Sequence, residues 1–540
     1  MSAPTSNDPP AAPSPRGYGT AWAPFHHKVF AVVWAATVIS NIGAWMYNVA
    51  SGWLMTSLDP DPFIVSMVQV ANSLPMFLFA IPAGALVDIV DRRRFLIVGE
   101  SAITITSAAF AALVWLRLIT PNSLLLISFI VTVGSAVTAP AWQAVVAQLV
   151  PKPDLPSAVA ANSVGINVSR AIGPALGGII VGALGIAAPF WFDAFSNLGV
   201  IAALVWWRPP RRSVTSLPPE TFGNAVRVGL RHARYNSHLS ATLIRATAFF
   251  VFASAYWALL PLVARSQIAG GPALYGILLG AIGASAVGVA FLLRRLRTLL
   301  GADRLLSVAT LATAIATGLF AMAHDSATAI AASLIAGASW IAAVSSLNVS
   351  AQVALPEWVR GRGLAIYVTV MFGALTIGSA VWGELAAVAG LPAALLVAAA
   401  GAVIAIPLTW AWKLQTGANV DLSPSMHWPA PVTSHAIEPD RGPVLVIIEY
   451  HIDPKNRKPF LRALNKSAHE RRRDGAYDWG IFEDPAQDGR FIETFRSDSW
   501  LDHLRQHQRV TKADRIQEQA ARRFQIGDGP KSTHFVGTQE

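Results

Sequence analysis

The chain has 540 residues, 53% hydrophobic and only 13% charged, with a net charge of +10, whereas soluble domains run at about a quarter charged. A mean hydropathy of +0.46 over this length describes membrane segments, not one large soluble core. There is no Cys, which excludes disulfides, thiolate catalysis and Cys-based metal sites, and the basic excess sits in short loops between apolar runs, so it reads as positive-inside topology and not as a nucleic-acid footprint.

Met1 to Tyr18 is rich in Pro, Ala and Ser and has no apolar signal core, so residues 1–28 read as a disordered cytoplasmic tail. A bilayer core of about 30 Å takes about 20 apolar residues to cross. Twelve such runs follow, at 29–56, 63–87, 95–116, 123–149, 157–185, 188–207, 240–264, 273–293, 305–323, 326–352, 363–388 and 391–413. They group as a six-helix half over 29–207, a central loop over 208–239 and a second half over 240–414. Arg92 to Arg94, Lys152, Arg208, Arg211, Arg212, Arg227, Arg231, Arg234, Arg294, Arg295, Arg297, Arg304, Arg360 and Arg362 fall in loops on one side, and the other side offers Arg117 and Arg265. That bias places both termini in the cytoplasm of a bacterial inner membrane.

Composition changes after Leu414. Residues 415–443 read as a linker and 444–540 as a soluble domain. Val444 to Ile452 alternates as a strand, and Lys455 to Arg473 is a basic amphipathic helix. Tyr477 to Phe482 and Phe491 to Arg496 form a hairpin around Asp484-Pro485. Trp500 to Phe524 reads as one helix and Thr533 to Val536 as a last strand. The order β-α-β-β-α-β is ferredoxin-like. His451, Trp479, His503 and His507 show no catalytic or metal-ligating spacing, so neither a metal site nor a cofactor is expected. Dimerisation or ligand sensing are the expected roles of this tail.

The two halves align at an offset of roughly 204 residues. Gly84 and Arg92-Arg93-Arg94 correspond to Gly288 and Arg294-Arg295-Leu296-Arg297, Ala147-Gln148 to Ala351-Gln352, and Gly173 and Gly178 to Gly378 and Gly383. A duplicated six-helix unit about the membrane normal is an arrangement in which a central site alternates between sides.

Gly84-Ala85-Leu86-Val87-Asp88-Ile89-Val90-Asp91-Arg92-Arg93-Arg94 resembles the signature loop of the major facilitator superfamily, G-x-L-a-D-r-x-G-r-R/K, with Ile89 and Asp91 departing from it. Gly173-Pro174-Ala175-Leu176-Gly177-Gly178 resembles the G-P-x-x-G-G element associated with proton-coupled exporters. Ser40 to Met46, Ala139 to Ala144 and Trp358 to Gly363 resemble the transmembrane secretion effectors, the subgroup that includes the enterobactin exporter. The soluble tail resembles the dimeric α+β domains of antibiotic-biosynthesis monooxygenases. The resemblance implies an all-α polytopic transporter and no enzyme: a proton-coupled exporter of amphipathic siderophore- or drug-like molecules. The alternative is an uncoupled facilitator or importer gated by a sensing tail. No nucleotide-binding P-loop is present.

The resemblance also assigns gating to Gly84, Asp88, Arg92 and Arg93, with Arg360 and Arg362 as partners across the halves; a solvated positive-inside cluster is the plainer reading. Gly173, Pro174, Gly177 and Gly178 serve as a pivot or as static packing. Ionisable residues inside a bilayer are costly and point to function. Arg170 lies near the midplane, to bind an anionic group or lock an ion pair. Asp193 is the first choice for proton coupling and Glu100 the second, with interfacial pairing as the alternative for both. Glu384, near the outer end, is a further carboxylate, and snorkelling accounts for Arg245. Trp45, Trp142, Gln143 and Asn167 are expected to line a substrate cavity.

Overall fold

The computed structural model describes residues 22–208, 222–416, 421–423, 425, 427–428, 431, 433 and 437–538, with the backbone alone at 85, 87–89, 222–228 and 508. The expectations for residues 1–21, for Arg211 and Arg212, and for the Asp88 side chain therefore lie outside the described residues.

Twelve helices are long and apolar enough to cross a membrane. The first half comprises α1 (Lys28–Leu58), α2 (Pro62–Ile89), α3 (Arg92–Trp115), α4 (Pro121–Val146), α5 (Leu155–Leu184) and α6 (Ala188–Trp206). Their starts are set locally. Asp61 accepts the amides of Phe63 and Ile64 ahead of α2, Asp91 that of Arg94 ahead of α3, and Thr120 with Ser123 forms a capping box ahead of α4. Apolar side chains point outward along the helices, among them Ile105, Val98 and Val388 at 70%, 68% and 78% exposed, as a lipid-facing surface requires.

The central segment is not all loop. Phe222–Tyr235 forms α7, a short amphipathic helix between the halves. Its Asn236 caps the next span and also donates to the Ala354 carbonyl. The second half comprises α8 (Ser237–Leu262), α9 (Pro272–Ala290), α10 (Leu293–Met322), α11 (Ser326–Val353), α12 (Arg360–Ala389) and α13 (Leu391–Thr409). Gly301 breaks α10 with φ 73°, a left-handed conformation that glycine adopts without strain. The expected span at 305–323 is the part after this kink, and the basic run before it forms a separate short helix.

Equivalent glycines make equivalent contacts in the two halves. A Cβ on Gly178 would lie 2.6 Å from the Pro272 carbonyl oxygen and 2.8 Å from Gly276 Cα, so α5 and α9 touch backbone to backbone. A Cβ on Gly383 would meet Ser66 and the Pro62 carbonyl oxygen, which joins α12 to α2 at the same level. Gly173 faces Trp45 and Ile42 on α1 as Gly378 faces Val251 and Ser254 on α8. These are close small-residue contacts of the kind membrane helices use to pack.

The C-terminal region contains β1 (Val444–His451), α14 (Arg457–Asp474), β2 (Tyr477–Glu483), β3 (Arg490–Ser497), α15 (Trp500–Arg509), α16 (Lys512–Arg522) and β4 (Lys531–Val536). The sheet is antiparallel with strand order β2-β3-β1-β4, which is the split β-α-β arrangement. The second helix, expected as one run from Trp500 to Phe524, is two. Val510 is extended, and Thr511 with Asp514 forms a capping box that restarts the chain as α16. The expected linker also packs on this domain: Ser425 binds the Val510 carbonyl, and His427 and Trp428 reach Glu518. Its composition is linker-like, but these side chains find partners.

Candidate functional site

The two halves meet tightly at the face opposite the termini. Arg265 donates to Thr56 Oγ1 at 3.1 Å and Ser57 Oγ at 2.5 Å, and lies 5.6 Å over Trp53, which in turn stacks on Tyr275. Thr376 donates to Ser73 at 2.8 Å further in. Along α9, Gly276, Gly280 and Gly283 each meet α5, but Gly288 has nothing within 4 Å; its counterpart Gly84 on α2 is equally free of neighbours.

Two carboxylates are buried within the first half. Glu100 on α3 accepts a 2.7 Å hydrogen bond from Trp142 Nε1 on α4. Asp193 on α6 accepts one of 2.9 Å from Ser107, about 10 Å further along α3 from Glu100. Gly43 on α1 closes over Asp193, leaving no room there for a larger side chain. Neither carboxylate pairs with a cation among the described residues. Asn197 lies on the same helix as Asp193 and accepts from Ser40. Asn72 links Asn48 and Thr132 nearby.

Arg170 sits near the middle of the 30-residue α5. Its guanidinium lies 5.5 Å from the Trp45 ring, its Nε has no hydrogen-bond partner, and it joins none of the ion pairs of the described residues. Trp45, Trp142 and Arg170 are half-buried and Gln143 is exposed. Asn167 is less available than its residue type suggests, because its amide donates to the Ser163 carbonyl of its own helix.

The other expected residues fall in varied settings. Gly173 and Gly177 pack on α1 while Gly178 packs on α9, so the G-P-x-x-G-G element lies between an intra-half and an inter-half contact, with Pro174 buried among them. Arg93 donates to the Leu204 and Val205 carbonyls and so caps the end of α6. Arg360 is exposed, and Arg362 lies against Gly229 of α7. Arg92 is half-buried at the start of α3. Glu384 is exposed. Arg245 does not snorkel: it is 3% exposed and donates to Asp303 at 2.6 Å, an ion pair hidden from sequence because Asp303 lies in a basic run.

The soluble domain rests on the termini face through α7 and the segment before α12. Arg509 stacks 4.5 Å over Trp358, and Gly475 lies against Arg231. His232 of α7 packs edge-on against Trp358. Burial, with Arg473 and Arg509 nearby, pushes His232 down to about 3. In the domain itself burial alone would raise Glu518, but Arg471, His427 and Trp428 bring it down to about 2. Glu470 is pushed up to about 9 by burial and by Asp514.

Residues 19–540 match the family described as transmembrane secretion effector. A staphyloferrin A transporter of Staphylococcus aureus is 26% identical over 239 residues, which cover 44% of this chain and 59% of the relative. Macrolide efflux protein A of Streptococcus pyogenes is 23% identical over 245 residues, 45% of this chain and 60% of the relative. The chain thus spans less than two thirds of the length of either curated relative. Among solved structures, a bacterial homologue of the human lysosomal transporter Spinster aligns with TM-score 0.54 at 15% identity, over 72% of this chain and 97% of that one. An auto-inhibited POT family peptide transporter aligns with TM-score 0.59 at 13% identity, over 75% and 99%. At these identities the likeness is one of fold.

Proposed function

This chain belongs to the transmembrane secretion effector family of major facilitator transporters, and we propose that it is a proton-coupled exporter of amphipathic small molecules that works by alternating access. The observation that carries the proposal is the pair of buried, cation-free carboxylates, Glu100 and Asp193, held at different depths in one half. A fixed ion pair would hold its charge, whereas a buried carboxylate held by neutral donors, Trp142 and Asn197 for Glu100 and Ser107 for Asp193, can exchange a proton. Arg170 beside Trp45 offers a cation and an aromatic face to an anionic, partly apolar substrate. A siderophore or a drug suits that chemistry, and relatives named for staphyloferrin A transport and macrolide efflux support the substrate class. The short-loop Arg bias favours a bacterial plasma-membrane location with both termini cytoplasmic.

A second reading is an uncoupled facilitator or importer gated by the soluble domain. It is favoured by Arg509 stacked on Trp358, two residues before α12 begins. Substrate-dependent proton movement in proteoliposomes separates the two, with catecholate and carboxylate siderophores and amphipathic drugs as substrates. Coupling predicts a substrate-driven pH change that Asp193→Asn or Glu100→Gln abolishes. Substrate flux that ignores both the proton gradient and both substitutions would overturn the exporter proposal in favour of the second reading.

A further inference from the structure

His503 and His507 sit one turn apart on α15, so their side chains share a face. The third member comes from the other end of the domain: His534 on β4, opposite Val446 of β1. One nitrogen from each of the three imidazoles lies within 4.8 Å of the others. The Nε2 atoms of His503 and His507 are 3.2 Å apart. Two imidazole nitrogens bound to one tetrahedral zinc at about 2.0–2.1 Å stand about 3.3 Å from each other, so that pair already has the spacing of two ligands on one ion.

The surroundings engage these rings mainly by packing: Trp500 lies 5.6 Å from His503, with Gln506 beside it, and Trp428 meets His507 edge-on at 5.1 Å. His503 is 1% exposed and its Nδ1 has no hydrogen-bond partner. His507 bonds only to His503, and His534 makes no hydrogen bond among the described residues. Core histidines normally satisfy both nitrogens, so three clustered imidazoles with unspent nitrogens are costly as packing alone. The charged groups next to them are already matched: Arg471 pairs with Glu493 and Glu518, and Glu518 also accepts from His427 and Trp428. All three histidines line one pocket of about 70 Å³, whose far wall is apolar (Val446, Leu464, Phe495) and whose edge is the linker residue Trp428.

We propose that His503, His507 and His534 bind a divalent transition metal of the zinc class, with an open coordination position facing this pocket. Three neutral imidazoles without a thiolate suit Zn²⁺, Ni²⁺ or Cu²⁺ and disfavour Mg²⁺ and Ca²⁺, which prefer oxygen ligands. A fourth position on the pocket side would accept water or an oxygen or nitrogen donor of a small apolar-bodied chelator. The site stands apart from the membrane carboxylates and does not depend on the transport reading.

The test uses the full-length protein in detergent, stripped with EDTA and titrated with Co²⁺ and then Zn²⁺. One Co²⁺ per chain should bind with the visible absorption of a four- or five-coordinate nitrogen site, and one equivalent of Zn²⁺ should displace it. His534→Ala and His507→Gln should each weaken binding about 100-fold, while His451→Ala should leave it unchanged. Matching elution profiles and melting temperatures in EDTA establish that the variants fold; His507→Gln, at a half-buried position, provides the reading if His534→Ala fails to fold. Binding no tighter than about 100 μM, or equal binding by wild type and a folded ligand variant, would overturn the proposal.

Discussion

In the first six-helix half, Glu100, Asp193 and Arg170 stand inside the spans with no ion-pair partner among the described residues. In the second half the buried cation, Arg245, is already neutralised by Asp303, and the interior is filled by Phe249, Phe250, Trp257 and Trp340 in edge-to-face and tilted contacts. Yet the helix contacts of the halves match glycine for glycine, Gly178 on α9 and Gly383 on α2. The difference shows that the repeat preserves packing and not chemistry. Small residues at corresponding crossings hold the symmetric frame, and the buried charges without an ion-pair partner among the described residues have collected on one side of it.

The sharpest way to break this asymmetry is to remove carboxylates from each half in turn. Asp193→Asn and Glu100→Gln should each lower proton-coupled flux about 100-fold, the scale of losing a positioned acid–base group, while Glu384→Gln should leave it within about twofold, as measured by substrate-driven pH change in proteoliposomes. Equal damage from Glu384→Gln would end the one-sided picture. On stability the ranking should reverse. Asp303→Ala strands the Arg245 guanidinium and should cost about 3 kcal/mol, read as a lower melting temperature in detergent, whereas Asp193→Asn should melt near wild type.

A third test concerns the layer that the second half shares with the soluble domain. His232 is held at about 3 in the folded chain, against an ordinary value of 6.5. Burial is the main cause, with like-charged Arg473 and Arg509 beside it. The folded state therefore binds fewer protons than the unfolded one. Its stabilisation is present above pH 6.5 and is lost as pH falls toward 3, at about 1.4 kcal/mol per pH unit. Hydrogen exchange should show α7 loosening between pH 6.5 and 5 while α3 and α6 stay protected. Similar loosening in both halves would mean that other groups dominate. The smallest effect should come from the glycines: Gly178→Val and Gly383→Val should each cost about 1–3 kcal/mol through overpacking. Equal shifts in melting temperature would confirm that the two crossings are equivalent.

The helices were legible because a bilayer demands long apolar runs. The succession of strands along residues 444–536 followed from alternation and turn residues, but their order in the sheet did not. What sequence could not supply was partnership across distance. Ser107 finds Asp193 from 86 positions away, Trp142 finds Glu100 from 42, and neither pairing leaves a local pattern. Asp303 was masked by the arginines around it. The break at Val510 was encoded in Thr511 and Asp514, but the amphipathic pattern runs through it and hides the cap. The one-turn spacing of His503 and His507 carried no ligating signal in the sequence; only the closure of β4 against β1, which brings in His534, makes the cluster.

The seal around Arg265, Trp53 and Tyr275 has a consequence in terms of populations. A substrate arriving from the sealed face meets a competent site only in the fraction of molecules whose seal has broken, so its apparent affinity is the intrinsic one reduced by that fraction. Under the proposed alternating access, Arg265→Ala should therefore strengthen apparent binding from that face and weaken it from the other, by breaking the contacts to Thr56 and Ser57 alone.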